Sequence, residues 1–349
     1  VRAASAGEYE SITMLSALLP MAESGSTQWL SFDWNALISN LGPATIDGLT
    51  FGAIYALVAL GYTLVYGVLN LINFAHSEVF IVGAYGVIFT LSALGFNGSP
   101  PNLGIGPIIL NLLLAMIVGM IASCTTAVAV ERLAYKPLRK RNAPRLVFLI
   151  TAIGVSFVIQ YAIFAFHSKN AEPAVTMFTP KPIFDLGGTI IDSQQLTIII
   201  AAVVMMIAVD RFIAKSKTGR GIRAVAQDPA TSTLMGVNSE RIILATFAIG
   251  GLLAGAAALF YVMKVPSGVI YNGGFLLGLQ AFAAAVLGGI GNIRGALVGG
   301  LVIGVISNYA PFLLGDSNWS QVVVFAVLVL VLVVRPQGLL GQTLGRSKA

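Results

Sequence analysis

The chain has 349 residues, 57% of them apolar and only 10% charged, with a mean hydropathy of +0.88 and a net charge of +6. A water-soluble core cannot absorb that much apolar surface behind so few charges, which excludes soluble enzymes, nucleic-acid binders and disulfide-built secreted modules. What remains is an all-α polytopic membrane bundle, built from runs of about 20 apolar residues that each cross a bilayer.

Residues 1–45 form an N-terminal extracytoplasmic or interfacial extension. The apolar run Ile12–Ala22 behind Arg2 faintly resembles a signal peptide, but Glu8 and Glu10 stand where basic residues belong and the cleavage signal is poor. In the segment Trp29–Leu41, the residues Trp29, Phe32, Trp34, Leu37, Ile38 and Leu41 fall near helical spacing, as in a helix lying in the membrane interface.

Reading on, apolar runs set against charged interruptions give nine spans, near 46–68, 79–95, 107–130, 146–166, 196–213, 242–263, 278–291, 295–313 and 320–334. The seventh is the weakest. Gly278 to Gly291 would make only about 21 Å of helix at 1.5 Å per residue, so the expectation is eight to nine spans with one short, broken or re-entrant.

Charge sets the orientation. The loop 131–145 holds Arg132, Lys136, Arg139, Lys140, Arg141 and Arg145, and the loop 211–241 holds Arg211, Lys215, Lys217, Arg220, Arg223 and Arg241. With both loops cytoplasmic, Arg294, Arg335, Arg346 and Lys348 follow them inside. Only Arg2, Lys169, Lys181 and Lys264, four of the 20 basic residues, are left outside. The N-terminus is then outside and the C-terminus inside. The transmembrane domain runs over 46–336 and a cytoplasmic tail over 337–349.

Glycines are abundant, 38 in all, with small-xxx-small pairs at Gly48/Gly52, Gly251/Gly255, Gly291/Gly295, Gly295/Gly299 and Gly300/Gly304 that let helix backbones approach closely. Ionisable residues at apolar positions are few. Asn73, His76 and Glu78 lie between the first two spans and allow two readings. One is an interfacial polar turn in which Asn73 satisfies free backbone groups. The other is a discontinuous helix at the translocation pathway that forms a gate. The Gly289–Gly295 stretch mimics a dinucleotide fingerprint, but apolar spans flank it, so it reads as a tight cytoplasmic turn. Gly-rich spans follow a polar break after both Glu78 and Asn292, a hint of two-half symmetry too weak to build on.

In the second cytoplasmic loop, Ile222, Val225 and Ala226 form an apolar set opposite Arg220, Arg223 and Gln227. Asp228 reads as an N-cap with Pro229 at the first helical position, and Gly236 as the residue closing a helix that ends near Met235. This gives a stiff capped helix with Thr231, Leu234 and Met235 available for contact. It reads equally as a seat for a partner or as a basic connector on anionic lipid.

The absences also bear on function. The single cysteine, Cys124, excludes a disulfide framework, and two histidines, His76 and His167, are too few for a histidine metal centre. There is no Gly-x-x-x-x-Gly-Lys-Ser/Thr phosphate loop, no nucleophile–base pair and no intramembrane chain of ion-relay groups, so energy for uphill transport has to come from a partner.

Several stretches together resemble LivH-type permeases, membrane subunits of bacterial ABC importers for branched-chain amino acids. They are Gly52–Gly67, Ile72–Glu78 with Gly83-Ala-Tyr85, Glu131-Arg-Leu-Ala-Tyr-Lys-Pro-Leu-Arg139, Leu149–Ser156, Gly219–Asp228 through Leu234–Asn238, Ala281–Gly291 and Arg335–Gly341. The resemblance covers about 45–345, with the motifs in order. It implies a heterodimeric pore with a second permease subunit, two cytoplasmic ATPase subunits and an extracytoplasmic solute-binding protein, in a bacterial inner membrane and surrounded by lipid, without nucleic acid. It makes the segment Ala226–Gly236 a coupling helix seated on an ATPase, with Arg220, Arg223, Gln227, Asp228, Leu234, Met235 and Gly236 as the coupling set. ATP and Mg²⁺ belong to those partners and no cofactor to this chain. Two departures stand out: Ser77 occupies a position where the family commonly has Gly, and an N-terminal extension of about 25 residues beyond the family's usual start has no assigned role. Related permeases carry urea or short amides, and a stand-alone channel or secondary carrier for a small neutral solute is the alternative from another class.

Overall fold

The computed structural model describes residues 32–96, 104–167, 172, 180–186, 189–265 and 268–341. The run Ile12–Ala22, Trp29 and the charges Arg2, Lys169, Arg346 and Lys348 lie outside them. Thirteen α-helices follow in order among the described residues: α1 (Trp34–Ser39), α2 (Leu41–Leu69), α3 (His76–Ala93), α4 (Ile105–Val130), α5 (Lys136–Lys140), α6 (Arg145–Phe166), α7 (Ser193–Lys215), α8 (Lys217–Gln227), α9 (Pro229–Leu234), α10 (Ser239–Lys264), α11 (Gly273–Gly288), α12 (Ile293–Leu314) and α13 (Trp319–Val334). A π-helical turn, Glu131–Tyr135, joins α4 to α5, and an antiparallel hairpin, β1 (Pro182–Leu186) with β2 (Thr189–Asp192), precedes α7.

Each of the nine sequence-derived spans coincides with a helix, but only seven are long and apolar enough to cross a bilayer. The shorter two, α11 and α13, have 16 residues each, about 24 Å of helix. The seventh span needs correcting at both ends. It begins five residues earlier than expected, at Gly273, because its start is buried against α3, and it stops at Gly288 because Gly289 takes φ +105°. The presumed loop 131–145 is also mostly helical: α4, the π turn and α5 run unbroken to Lys140, and only residues 141–144 link them to α6.

The core centres on α2, which packs against α12, α10 and α11. Its seam with α12 is glycine on glycine. A Cβ at Gly48 would lie 2.7 Å from the Val305 Cα, one at Gly52 2.8 Å from the Leu301 Cα, and one at Gly300 2.5 Å from the Ala56 Cβ. The pairs Gly48/Gly52 and Gly300/Gly304 therefore meet each other, while Gly251 and Gly255 lie against α4 and Gly295 and Gly299 against α11, and backbone approach rather than apolar area joins these helices. Gly291 is the exception: it lies in the α11–α12 turn at φ +93° with open space around it. By contrast α4, α6 and α7 bury few residues and turn rows of Leu, Ile, Val and Phe outward, as helices facing lipid or another subunit do.

The chain after α13 folds back as a strap. The amides of Leu339 and Leu340 donate to the Leu287 and Gly288 carbonyls at 2.8 and 3.1 Å, and the Asn292 side-chain amide donates to the Leu340 carbonyl at 2.7 Å. The first two bonds satisfy carbonyls that the C-terminus of α11 leaves free. At the opposite end of the bundle, Asp33 caps α1 through the Ala36 amide at 2.9 Å, and α1 leaves Phe32, Trp34 and Ile38 exposed.

Candidate functional site

Two polar features stand out, one at the basic end of the bundle and one inside it. At the basic end, α7, α8, α9 and α10 follow one another with almost no linker. The Ser216 hydroxyl accepts from the Gly219 amide at 2.9 Å to cap α8, whose Ile222 and Val225 are buried beside Gly219 and Gly221, while Arg220, Arg223 and Gln227 face out. Asp228 then caps α9: its Oδ1 accepts from the Ala230 and Thr231 amides at 2.9 and 3.1 Å, and its Oδ2 accepts from the Thr231 hydroxyl at 2.5 Å. The Thr231 hydroxyl, with these amides, holds the Asp228 carboxyl below the usual carboxylate range. Pro229 starts the helix, Leu234 ends it, and Gly236 at φ +85° closes it.

The result is a six-residue helix standing off the bundle, with Leu234 87% and Met235 80% exposed. Arg223 plays a different part from its neighbours. Its guanidinium donates to the carbonyls of Ile213 and Ala214, the open end of α7, so its donors are committed inside the protein. Arg220, Gln227, Leu234 and Met235 remain the outward-facing members of the set.

The second feature is the break between α2 and α3. Asn70, at φ +52°, ends α2, and residues 70–75 turn back into the bundle rather than along its surface. The His76 ring lies against Gly61, eight residues before the end of α2, which is about 12 Å of helix. Asn73, His76 and Glu78 are 3%, 2% and 0% exposed. The segment is packed inside the protein rather than lying on its surface. His76 and Glu78 belong to the first turn of α3, and Asn73 accepts from a side chain, the Tyr135 hydroxyl at 3.0 Å, rather than caps the backbone.

Glu78 Oε1 accepts from the Ser156 hydroxyl at 3.2 Å, near the middle of α6, while Oε2 has no hydrogen-bond partner among the described residues. The start of α11 covers it: a Cβ at Gly274 would lie 3.2 Å from Oε2 and 2.8 Å from the Ser77 carbonyl, and one at Gly278 3.2 Å from the Ser77 hydroxyl. The N-termini of α3 and α11 thus meet at this carboxyl group, where the positive ends of both dipoles favour negative charge. Ser77 itself sits inside the helix, its hydroxyl donating to the Phe74 carbonyl at 2.8 Å, and it fills the notch left by Gly278.

The void beside the break, lined by Tyr62, Tyr66, Ile72, Phe282, Ala285 and Ile290, encloses about 10 Å³. That is room for about one water and no amino acid, so any passage here requires helices to move. Among the described residues no three His, Cys, Asp or Glu side chains are grouped to hold a metal ion.

Tyr135, Glu131, Arg139, Ser156, Gly274 and Gly278 surround these features, and sequence reasoning assigns none of them a part in either: Arg139 reads as a loop charge and Gly278 as the start of a span. The available signal was Pro137: proline cannot donate to the helical ladder and crowds the carbonyl four residues earlier, and the widened π turn precedes it.

The family model described as "Branched-chain amino acid transport system / permease component" matches residues 44–332. The chain is 39% identical over 301 residues to the high-affinity branched-chain amino acid transport system permease protein BraD of Pseudomonas aeruginosa, covering 85% of this chain and 94% of that protein. It is similarly related to the LivH permease proteins of Salmonella typhimurium, 37% over 303 residues, and Escherichia coli, 36% over 307, each with 85% and 94% coverage. No solved structure matches the chain.

Proposed function

This chain belongs to the family of branched-chain amino acid transport permeases, and on that premise we propose how it works in its membrane. It is the multi-pass permease subunit of an inner-membrane ABC importer for branched-chain amino acids, and not itself an enzyme. The importer consists of this chain, a second permease subunit, two cytoplasmic ATPase subunits that bind ATP and Mg²⁺, and an extracytoplasmic solute-binding protein that selects leucine, isoleucine or valine. The N-terminus is outside and the C-terminus cytoplasmic. The Asp228-capped α9 docks on an ATPase, with Arg220, Gln227, Leu234 and Met235 toward it, and the Asn73–His76–Glu78 break is the gate that α11 covers.

The observation that carries this reading is the exposure of Leu234 and Met235 on a short, doubly capped helix at the basic end. Each such side chain would contribute about 1.5–3 kcal/mol if buried in a partner's groove. The sister permease is supported by the outward apolar rows of α4, α6 and α7 and by a void beside the gate too small for substrate.

Reconstitution with the ATPases and binding protein, followed by substrate-stimulated ATP hydrolysis, tests the proposal. Leucine, isoleucine or valine stimulates hydrolysis, and Asp228→Lys/Leu234→Asp abolishes the stimulation while the chain still inserts. Stimulation by urea or acetamide instead moves the substrate class. A chain that captures no ATPase and passes solute alone is a channel or carrier, and the proposal falls.

A further inference from the structure

The segment Glu131–Arg139 has no part in the docking helix or the gate, yet it touches both. At its cytoplasmic end Arg139 NH2 donates to Glu131 Oε1 at 2.6 Å and reaches Glu240 Oε1 at 3.3 Å, and the Lys136 ammonium lies 3.6 Å from Glu240 Oε2. Glu240 is the second residue of α10, and the residue before it, Ser239, shares a 2.9 Å hydrogen bond with Thr233 of α9. The docking helix is therefore linked to this segment through two polar contacts.

At its inner end the segment presents Tyr135, which is fully buried. Its ring packs against Phe148 and Phe247, with centroids 5.9 and 5.3 Å away, and its hydroxyl donates to Asn73 Oδ1 at 3.0 Å. Asn73 in turn accepts the His76 amide through its carbonyl at 3.1 Å, which fixes the first turn of α3. The π turn, Glu131–Tyr135, runs from a member of the outer cluster to this tyrosine and holds one residue more per turn than the α ladder.

We propose that Glu131–Arg139 is the positioning strut that carries movement of the ATPase-bound α9 to the Asn73–Glu78 gate, with the Tyr135–Asn73 hydrogen bond as its inner joint and the Glu131–Arg139–Glu240 cluster as its outer one. This rests on the docking reading above and adds the route by which docking reaches the gate. Glu131 and Arg139 hold each other across the π turn, so the segment moves as one piece. Tyr135 then moves Asn73, and with it the start of α3. In this scheme Tyr135 and Arg139 are positioning residues that act through their neighbours.

The test measures leucine moved per ATP hydrolysed in vesicles holding the complete complex. Tyr135→Phe keeps the ring and its packing and removes only the hydroxyl. It leaves substrate-stimulated hydrolysis close to wild type and lowers leucine moved per ATP about fivefold, the worth of one buried hydrogen bond. Asn73→Ala gives a similar loss, and the double variant is no worse than either single one. Phe148→Leu serves as the packing control: it reduces the amount of assembled complex but leaves leucine per ATP unchanged.

Hydrolysis and transport falling together in Tyr135→Phe, additive losses in the double variant, or an unchanged ratio would each overturn the strut. Wild-type complex that shows no stimulated hydrolysis refutes the docking reading beneath it, and that failure is visible before any variant is compared.

Discussion

The capped helix α9 and the break before α3 are made from similar parts: a short interruption, a polar residue at a helix start and a left-handed residue at a helix end. Asp228 and Gly236 frame the first, and Asn70 and the turn to His76 the second. One stands in solvent with its apolar tip 87% exposed, while the other holds a carboxyl group at 0% exposure. In solvent, local hydrogen bonds suffice to hold the shape, since water satisfies whatever remains. Inside the bundle the same kind of break needs close cover from other helices, because its polar atoms are shut away from bulk solvent. The first is therefore a separable element, and the second a property of four packed helices.

The sharpest way to break this contrast is Gly274→Val in α11. Its branched side chain would meet the Ser77 carbonyl and Glu78 Oε2, lifting α11 from the gate at a cost of about 1–3 kcal/mol. A lower melting temperature in detergent, together with loss of transport, is the expected result. Glu78→Gln acts more narrowly. It keeps an oxygen for Ser156 but turns an amide donor toward two helix N-termini, so transport falls about tenfold while the amount of assembled complex holds. Unchanged transport in that variant would remove the gate.

The smallest effect belongs to the exposed side of the comparison. Because Asp228 has a carboxyl held below its ordinary range, its cap is fully formed above the ordinary carboxylate pKa of about 4 and is lost as pH falls through the lowered value. Hydrogen exchange at the Ala230 and Thr231 amides should therefore show protection that drops only in strong acid. Asp228→Asn should retain a cap whose protection no longer depends on pH there. Equal acid sensitivity in both proteins would show that Asp228 does not hold these amides.

Much of the exposed element was legible from residue types alone. Asp228-Pro229 and Gly236 mark a helix start and stop through bonds made within a few residues, and Ile222 and Val225 repeat at helical spacing. The break before α3 was legible only as a polar anomaly. The motif around Glu78 offered two readings, and its burial depends on Gly61, Ser156 and Gly274, which lie on three other helices. Arg223 shows the same limit at the docking end: its exposure follows from the helical pattern, but its bonds to Ile213 and Ala214 depend on how α7 and α8 meet.

By itself the sequence determined that this is a membrane bundle, where its nine apolar helices lie, which end of the bundle is basic and which short helix projects from that end. Composition, hydrophobic run length and capping are all local quantities, and the bilayer imposes its thickness on each span separately. Tertiary structure alone decided that α11 starts against α3, that Glu78 is buried between two helix N-termini and that Tyr135 reaches Asn73 across 62 positions in the chain. Those facts depend on which small residues let helices approach, and such pairings join distant segments that no local pattern records.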